Sequence, residues 1–344
     1  MKSTGPFVDA RRALAVAVAG GFAVSAMACS AGGAPSQPTQ PPAVAQPNAP
    51  QPAAAVNTPR LRISMITHAP PGDAFWDIIQ TGAKDAAAKD NVEFLYSGDE
   101  DAGRQATLVQ NAIDQKVDGI VVTLAKPDAL EGVVKRAVAA GIPVVSINAG
   151  EDVSAQFGAL EHFGEPEEPA GEAAGQQLNK LGVKHALCVE QVQGHVGLEA
   201  RCAGATKTFQ GQVEKLFAPG TNMPQFRSTI ASKLQADKSI DAVLTLCSAC
   251  GLAAVQSVHD AGSTAKVGAF GLDKESVAAI KDGSLQFSVD QQPYLQGYLA
   301  VDGLWLHKKM RGIIGGGQPV LTGPSIVTTE NVAGIEQFAN QGLR

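Results

Sequence analysis

Asp73, Asn148, Asp273 and Gln291 stand in the loops that follow apolar runs, where carboxylates and carboxamides meet paired hydroxyl groups well. Arg201, beyond the run that ends at Glu190, carries a planar fork of donors suited to bidentate contact. His68 and His195 lie in two further loops of the same kind and supply additional polar atoms. Phe75 and Trp76 are adjacent at a helix start, and a flat apolar face beside polar groups suits the C–H face of a sugar ring. Consecutive helical residues cannot face the same way, so one of the two is expected to pack beneath its helix. Two positions also have structural readings: Asp273 fits a helix N-cap and Asn148 a turn residue.

The other chemistry on offer is that of sulfur. In Cys247-Ser-Ala-Cys250 a thiolate at a helix start would be stabilised, as in a redox pair. No second C-x-x-C and no His pair at ligand spacing accompanies it, so no metal is expected. No G-x-G-x-x-G or G-x-x-x-x-G-K follows the first apolar run, which disfavours a phosphate cradle; no cofactor is expected.

The elements that position these residues alternate. Apolar runs at 61–67, 92–96, 119–124 and 143–147 alternate with amphipathic stretches at 73–89, 103–115 and 127–140, and the beat restarts from 172. Nearly continuous apolar runs such as 119–124 demand burial on both faces, the mark of a parallel sheet flanked by crossover helices. The pattern Asp118-Gly-Ile-Val-Val-Thr-Leu124, helix, strand, Asn148 is echoed by Asp241-Ala-Val-Leu-Thr-Leu246, helix, strand, Asp273. The expected fold class is α/β: two similar doubly wound lobes in tandem, with a site between the carboxyl ends of their strands.

The N-terminus is an address. Arg11 and Arg12, an apolar run from Ala13 to Val24 and Ala26-Met27-Ala28-Cys29 describe a secretory signal at 1–28, too short for a membrane span of about 20 residues. The residues around Cys29 resemble a bacterial lipobox, so Cys29 is expected to carry lipid; cleavage after Ala28 without lipidation is the alternative. The uncharged, Pro- and Ala-rich stretch at 29–60 reads as a spacer. Removing 1–28 takes Lys2, Arg11, Arg12 and Asp9, a net of +2, and so moves the formal charge from −6 to −8. Such a domain does not court nucleic acid or an anionic membrane surface. In an exported chain the remaining even set, Cys188, Cys202, Cys247 and Cys250, favours disulfides, and pairing of neighbours is the simplest of the connectivities.

From Leu61 onward the chain resembles the periplasmic sugar-binding proteins of ABC importers, the ribose-binding-protein-like group of type I solute receptors. Asp73-Ala-Phe-Trp76 with Gly82, Asp118-Gly-Ile120 with Pro127, Gly141-Ile-Pro-Val144, Arg201 with Gly204, Gly271-Leu-Asp273 and Asp290-Gln-Gln-Pro293 with Gly297 carry the resemblance. It implies lobes at 61–158 with 292–321 and 159–291 with 322–344, joined by hinge strands near 158–165, 290–293 and 320–324. It implies ligand contacts from Asp73, Phe75, Trp76, Asn148, Arg201, Asp273 and Gln291. The ribose receptors have Asp-Arg where this chain has Asn148-Ala149, and Asn where it has Cys247, so the expected ligand is a polyol, a sugar other than a pentose, or a less polar small molecule. The implied function is capture by hinge closure and delivery to an ABC permease, without catalysis, by a monomer either anchored to the outer face of the cytoplasmic membrane or free in the periplasm. A sensor subunit that passes occupancy to a receptor is the alternative. A thiol oxidoreductase using Cys247 and Cys250 is the remote one, because that chemistry belongs to a much smaller fold.

Overall fold

A computed structural model of the chain describes residues 60–70 and 72–344. The export segment, Cys29 and the spacer up to residue 59 lie outside the described residues. The first lobe runs β1 (Arg62–Thr67), α1 (Ala74–Asp90), β2 (Glu93–Gly98), α2 (Ala102–Asp114), β3 (Gly119–Thr123), α3 (Pro127–Ala139), β4 (Val144–Ile147), the single turn α4 (Glu151–Ser154) and β5 (His162–Gly164). The second runs α5 (Glu167–Leu181), β6 (His185–Glu190), α6 (Val196–Thr208), β7 (Gln212–Phe217), α7 (Met223–Ala236), β8 (Ala242–Thr245), α8 (Ser248–Asp260), β9 (Lys266–Phe270), α9 (Lys274–Asp282) and β10 (Phe287–Asp290). The chain ends with α10 (Pro293–Met310), β11 (Val320–Leu321), β12 (Ser325–Val327) and the short α11 (Glu336–Asn340).

The strands form two sheets, ordered β11-β5-β4-β3-β1-β2 and β12-β10-β9-β8-β6-β7. Every pairing is parallel except β10 with β12. All residues of β3, β4, β6 and β8 are buried, as strands covered on both faces must be. In the first lobe, side chains of α1 and α10 fill one face, around Ile79, Ala83, Val301 and Leu304, and those of α2 and α3 the other, around Val109, Leu130 and Val134. The second lobe repeats the arrangement with α5 and α6 on one face and α7, α8 and α9 on the other.

The two helix pairs α1/α10 and α5/α6 approach so closely that glycine is required. A Cβ on Gly297 would sit 1.9 Å from the Ile79 carbonyl oxygen, and one on Gly82 would sit 2.0 Å from that of Tyr294. The second lobe mirrors this: a Cβ on Gly171 would lie 2.2 Å from the Arg201 carbonyl oxygen and one on Gly204 2.1 Å from that of Glu168. Because α10 belongs to the first lobe by packing yet follows the second in sequence, the chain must return. It leaves the first sheet after β5, comes back through Gln291 and Gln292 into α10, and crosses again between β11 and β12.

Cys188 of β6 is bonded to Cys202 of α6, with 5.9 Å between their Cα atoms, which ties the helix to its sheet. Cys247 is bonded to Cys250 at the start of α8. Among the described residues no helix is long and apolar enough to cross a membrane. The strands β5 and β11 have three and two residues, too few to show a period; they lie within the hinge stretches that the resemblance implies, and the first sheet's edge is built from them.

The helix seam yields a stability prediction. Gly297→Val forces α10 away from α1 and costs about 3 kcal/mol, the upper end for overpacked sites, read as a lowered thermal midpoint with the far-UV circular dichroism of the folded protein retained at low temperature.

Candidate functional site

The loops after the carboxyl ends of the strands in the two sheets meet between the lobes, where those after β1 and β6 bring His68 and His195 together, and they carry the candidate residues. Asp73 is the N-cap of α1: its Oδ1 accepts the Phe75 N–H at 3.0 Å, which leaves the second oxygen uncommitted. Asp273 caps α9 in a capping box, its Oδ1 accepting from the N–H and the hydroxyl of Ser276, both at 2.7 Å. Both structural readings made from sequence therefore hold for the aspartate and for Asn148, which has the left-handed φ of 65°. Burial raises the Asp73 carboxyl above its ordinary range, and the charge of Asp273 in the other lobe adds to it. Asp273 lines a recess of about 290 Å³ between the starts of α1 and α9.

His68 follows β1 and His195 caps α6, and the fold brings them together across the lobes, Nε2 to Nε2 at 3.1 Å. Their protonation follows from their partners. His195 Nδ1 accepts from the N–H groups of Gly197 and Leu198, at 3.1 and 3.4 Å, so its proton is on Nε2 and is donated to His68. His68 then holds its own proton on Nδ1, 2.8 Å from Thr123 Oγ1. A backbone bond from Val196 N–H to the Ala125 carbonyl, 3.2 Å, runs beside this pair between the same lobes. Burial, helped by Lys126 and Arg201, pushes the His68 pKa down to about 3, and burial, helped by His68 and Arg201, holds His195 well below its ordinary value.

Trp76 packs into the first-lobe core at 5% exposure, its ring edge-on to His68 with 4.9 Å between centroids, while Phe75 stays half-buried beside it. Asn148 Nδ2 donates to Gln291 Oε1 at 3.1 Å, tying the end of β4 to the second crossing. Arg201 is nearly buried and held on several sides: Nε donates to Glu167, Nη2 pairs with Glu165 at 3.2 Å, Nη1 donates to the Leu246 carbonyl at 3.2 Å, and the guanidinium lies 4.6 Å over Phe270. Cys247 Sγ, bound in its disulfide, accepts from the Cys250 N–H at 3.2 Å as the cap of α8, so it offers no thiol proton to a ligand.

The sequence reading did not include Glu165, Glu167, the Asp290 carboxylate or Arg344 among the site residues. Glu165 is fully buried; apart from its ion pair with Arg201, neither oxygen has a hydrogen-bond partner among the described residues, and burial raises its carboxyl well above the usual range against the pull of Arg201. Asp290 is fully buried too; its Oδ1 accepts the Gln292 N–H and Oδ2 pairs with Arg344 at 2.5 Å. The sequence placed both carboxylates at the expected crossings, which was the only signal for them; nothing local marked Arg344.

Residues 63–310 match the family model described as a periplasmic binding protein domain. A solved carbohydrate transporter from Acidothermus cellulolyticus 11B, in complex with myo-inositol, superposes with a TM-score of 0.82 at 51% identity, covering 83% of this chain and all of that one. The xylose/arabinose-binding protein XylF of Sulfolobus acidocaldarius is 27% identical over 269 residues, 72% of this chain and 66% of that protein, so the chain spans just under two thirds of that relative's length. The ribose import binding protein RbsB of Bacillus subtilis is 26% identical over 234 residues, 66% of this chain and 75% of that protein.

The histidine pair sets a pH dependence whose sign is determined. Folded values below the unfolded 6.5 mean that the unfolded chain binds more protons, so the pair's contribution is complete above pH 6.5 and is lost as pH falls toward 3. Buried carboxyls such as Glu165 act in the opposite direction, so the measurement is a difference: the thermal-midpoint advantage of wild type over His195→Gln shrinks from pH 7.5 to pH 5.

Proposed function

Because this chain belongs to the periplasmic binding protein family, an extracytoplasmic family, we propose that it captures a small cyclic polyol or sugar between its lobes and hands it to an ABC import permease. The observation that carries this reading is the convergence of polar side chains from both lobes on one line, with His68 facing His195 and Asn148 facing Gln291. Ligand that bridges the lobes stabilises the closed arrangement by the contacts it makes only there. The lobe limits implied by the resemblance, 61–158 with 292–321 and 159–291 with 322–344, shift at the first crossing, because β5 (His162–Gly164) pairs with β4 and β11 in the first sheet; the hinge of this reading is formed by the crossings at Glu165, at Gln291 and Gln292, and at Gly323. A lipid on Cys29 and the spacer after it would keep a monomeric receptor within reach of its permease.

Charge narrows the ligand class. Asp73 and Asp273 approach from opposite lobes, each with one oxygen uncommitted, and such acceptors suit the hydroxyl donors of a neutral polyol while repelling an anion. Phe75, half-buried at the start of α1, offers the apolar wall that a ring's C–H face needs. The myo-inositol complex of the relative from Acidothermus cellulolyticus supports the cyclic end of this class.

Thermal shift and calorimetry with myo-inositol, xylose, arabinose, ribose and an inositol monophosphate test the proposal. A neutral polyol or sugar raises the midpoint and the phosphate does not. Asp273→Ala weakens binding by about 10- to 100-fold, the loss expected for a hydrogen bond to a charged acceptor. If no neutral polyol or sugar shifts the midpoint, the reading fails.

A further inference from the structure

At the end of the second sheet remote from the cleft, His185, Glu214 and Asp237 bring one donor atom each within 4.8 Å of one another. We propose that these residues form a binding site for a first-row divalent cation of the zinc type. The fold assembles them by register. Leu187 of β6 pairs with Glu214 of β7, and residues two apart on a strand share a face, so His185 and Glu214 lie side by side on the face that α7 covers. The C-cap of α7 is Asp237, which arrives over His185.

The hydrogen bonds around the cluster prepare a ligand. Ser239 Oγ donates to Asp237 Oδ1 at 2.7 Å and therefore accepts at its lone pair from His185 Nδ1–H, 2.8 Å away. That tautomer leaves the lone pair on Nε2, and a ring nitrogen fixed through its other N–H is the usual state of a metal-bound histidine. His185 is only 9% exposed, and its Nε2 is buried with no hydrogen-bond partner among the described residues. It faces Glu214 Oε2 at 3.6 Å, so two electron-rich atoms look at each other with no donor between them. Zinc bonds of about 2.0–2.2 Å at a tetrahedral angle separate neighbouring ligand atoms by roughly 3.3–3.5 Å, close to this spacing.

The neighbouring cation orients the carboxylate. Lys233 Nζ, 2.7 Å from Glu214 Oε1, takes one oxygen and turns the other toward His185. The N–H and hydroxyl of Ser239 both bind Asp237 Oδ1, which leaves Oδ2 for a metal. The two carboxylates of Glu214 and Asp237 outnumber the one ammonium of Lys233, which favours a cation at the cluster. One imidazole and two carboxylates suit zinc and its first-row neighbours better than calcium, which takes six to eight oxygens. A cation here would join β6, β7 and the end of α7.

The test uses the whole chain, stripped with a chelator and titrated with zinc chloride at pH 7.5, with cobalt(II) as a spectroscopic probe. Zinc is expected to bind at this site and raise the thermal midpoint by a few degrees, and cobalt to show the intense visible bands of a four-coordinate ion. His185→Gln and Glu214→Gln each weaken this binding at least tenfold while the metal-free variants keep the wild-type circular dichroism. The proposal is overturned if millimolar zinc leaves the midpoint unmoved, or if both variants bind it as the wild type does. It is equally overturned if imidazole NMR shows His185 doubly protonated and paired with Glu214 in the presence of zinc, since a proton then fills the gap.

Discussion

The guanidinium of Arg201 ties the first crossing between the sheets to the body of the second lobe. It sits on α6 at 4% exposure and grips Glu165 and Glu167, the residues on either side of Pro166 where the chain passes from β5 into α5. Glu165 in turn lies against the other crossings: a Cβ on Gly323 would sit 3.0 Å from Glu165 Oε2 and 3.0 Å from the Asp290 carbonyl oxygen. All the passages between the sheets therefore meet around one buried ionic cluster. Removing one partner of such a cluster leaves a charge without compensation in a dry interior, at a cost of about 3–5 kcal/mol. That asymmetry makes Arg201 structural before it can serve any ligand.

The requirement for crossings comes from packing. A parallel sheet buried on both faces needs helices on both, and in the first lobe one of those helices, α10, comes from beyond the second lobe. Glycines at 82 and 297 let α10 seat on α1 at backbone contact distance, as glycines at 171 and 204 do for α5 and α6. The first lobe cannot close its core without the returning chain. The hinge is thus a by-product of completing two cores with one polypeptide, and the polar residues at 290–292 are drawn into the site by the same return.

How much of this was legible follows the length and burial of each element. The fully buried strands β3, β4, β6 and β8 read plainly as apolar runs, and the lobes' internal echo made the duplication visible. The strands β5 and β11 are too short to carry a period. Asp73, Asp273 and Asn148 were identifiable because strand ends and helix starts are marked in sequence. His68 and His195 were picked out only as loop residues; that they meet at 3.1 Å depends on the closure of one lobe on the other, which no local pattern encodes. The same holds for Arg344 reaching Asp290 and for His185, Glu214 and Asp237, whose spacing along the chain resembles no ligand motif and whose proximity comes from strand register and the landing point of α7.

The polar groups of the proposed site are doing two jobs, and this limits what such a site can hold. Asp73, His195, Cys247 and Asp273 are the N-caps of α1, α6, α8 and α9, each spending one acceptor on the backbone of its own helix. Helix starts at strand carboxyl ends bring these caps to the cleft, so the fold supplies the site's residues as a consequence of terminating its helices. What remains for a ligand is the second oxygen of each aspartate and a ring face, while the helix N-termini offer partial positive charge that the caps already meet. A ligand that brings many hydroxyl donors and no charge satisfies the uncommitted oxygens without disturbing the caps. An anionic ligand would have to compete with Asp73 and Asp273 for the same helix ends, and the fold has already filled them.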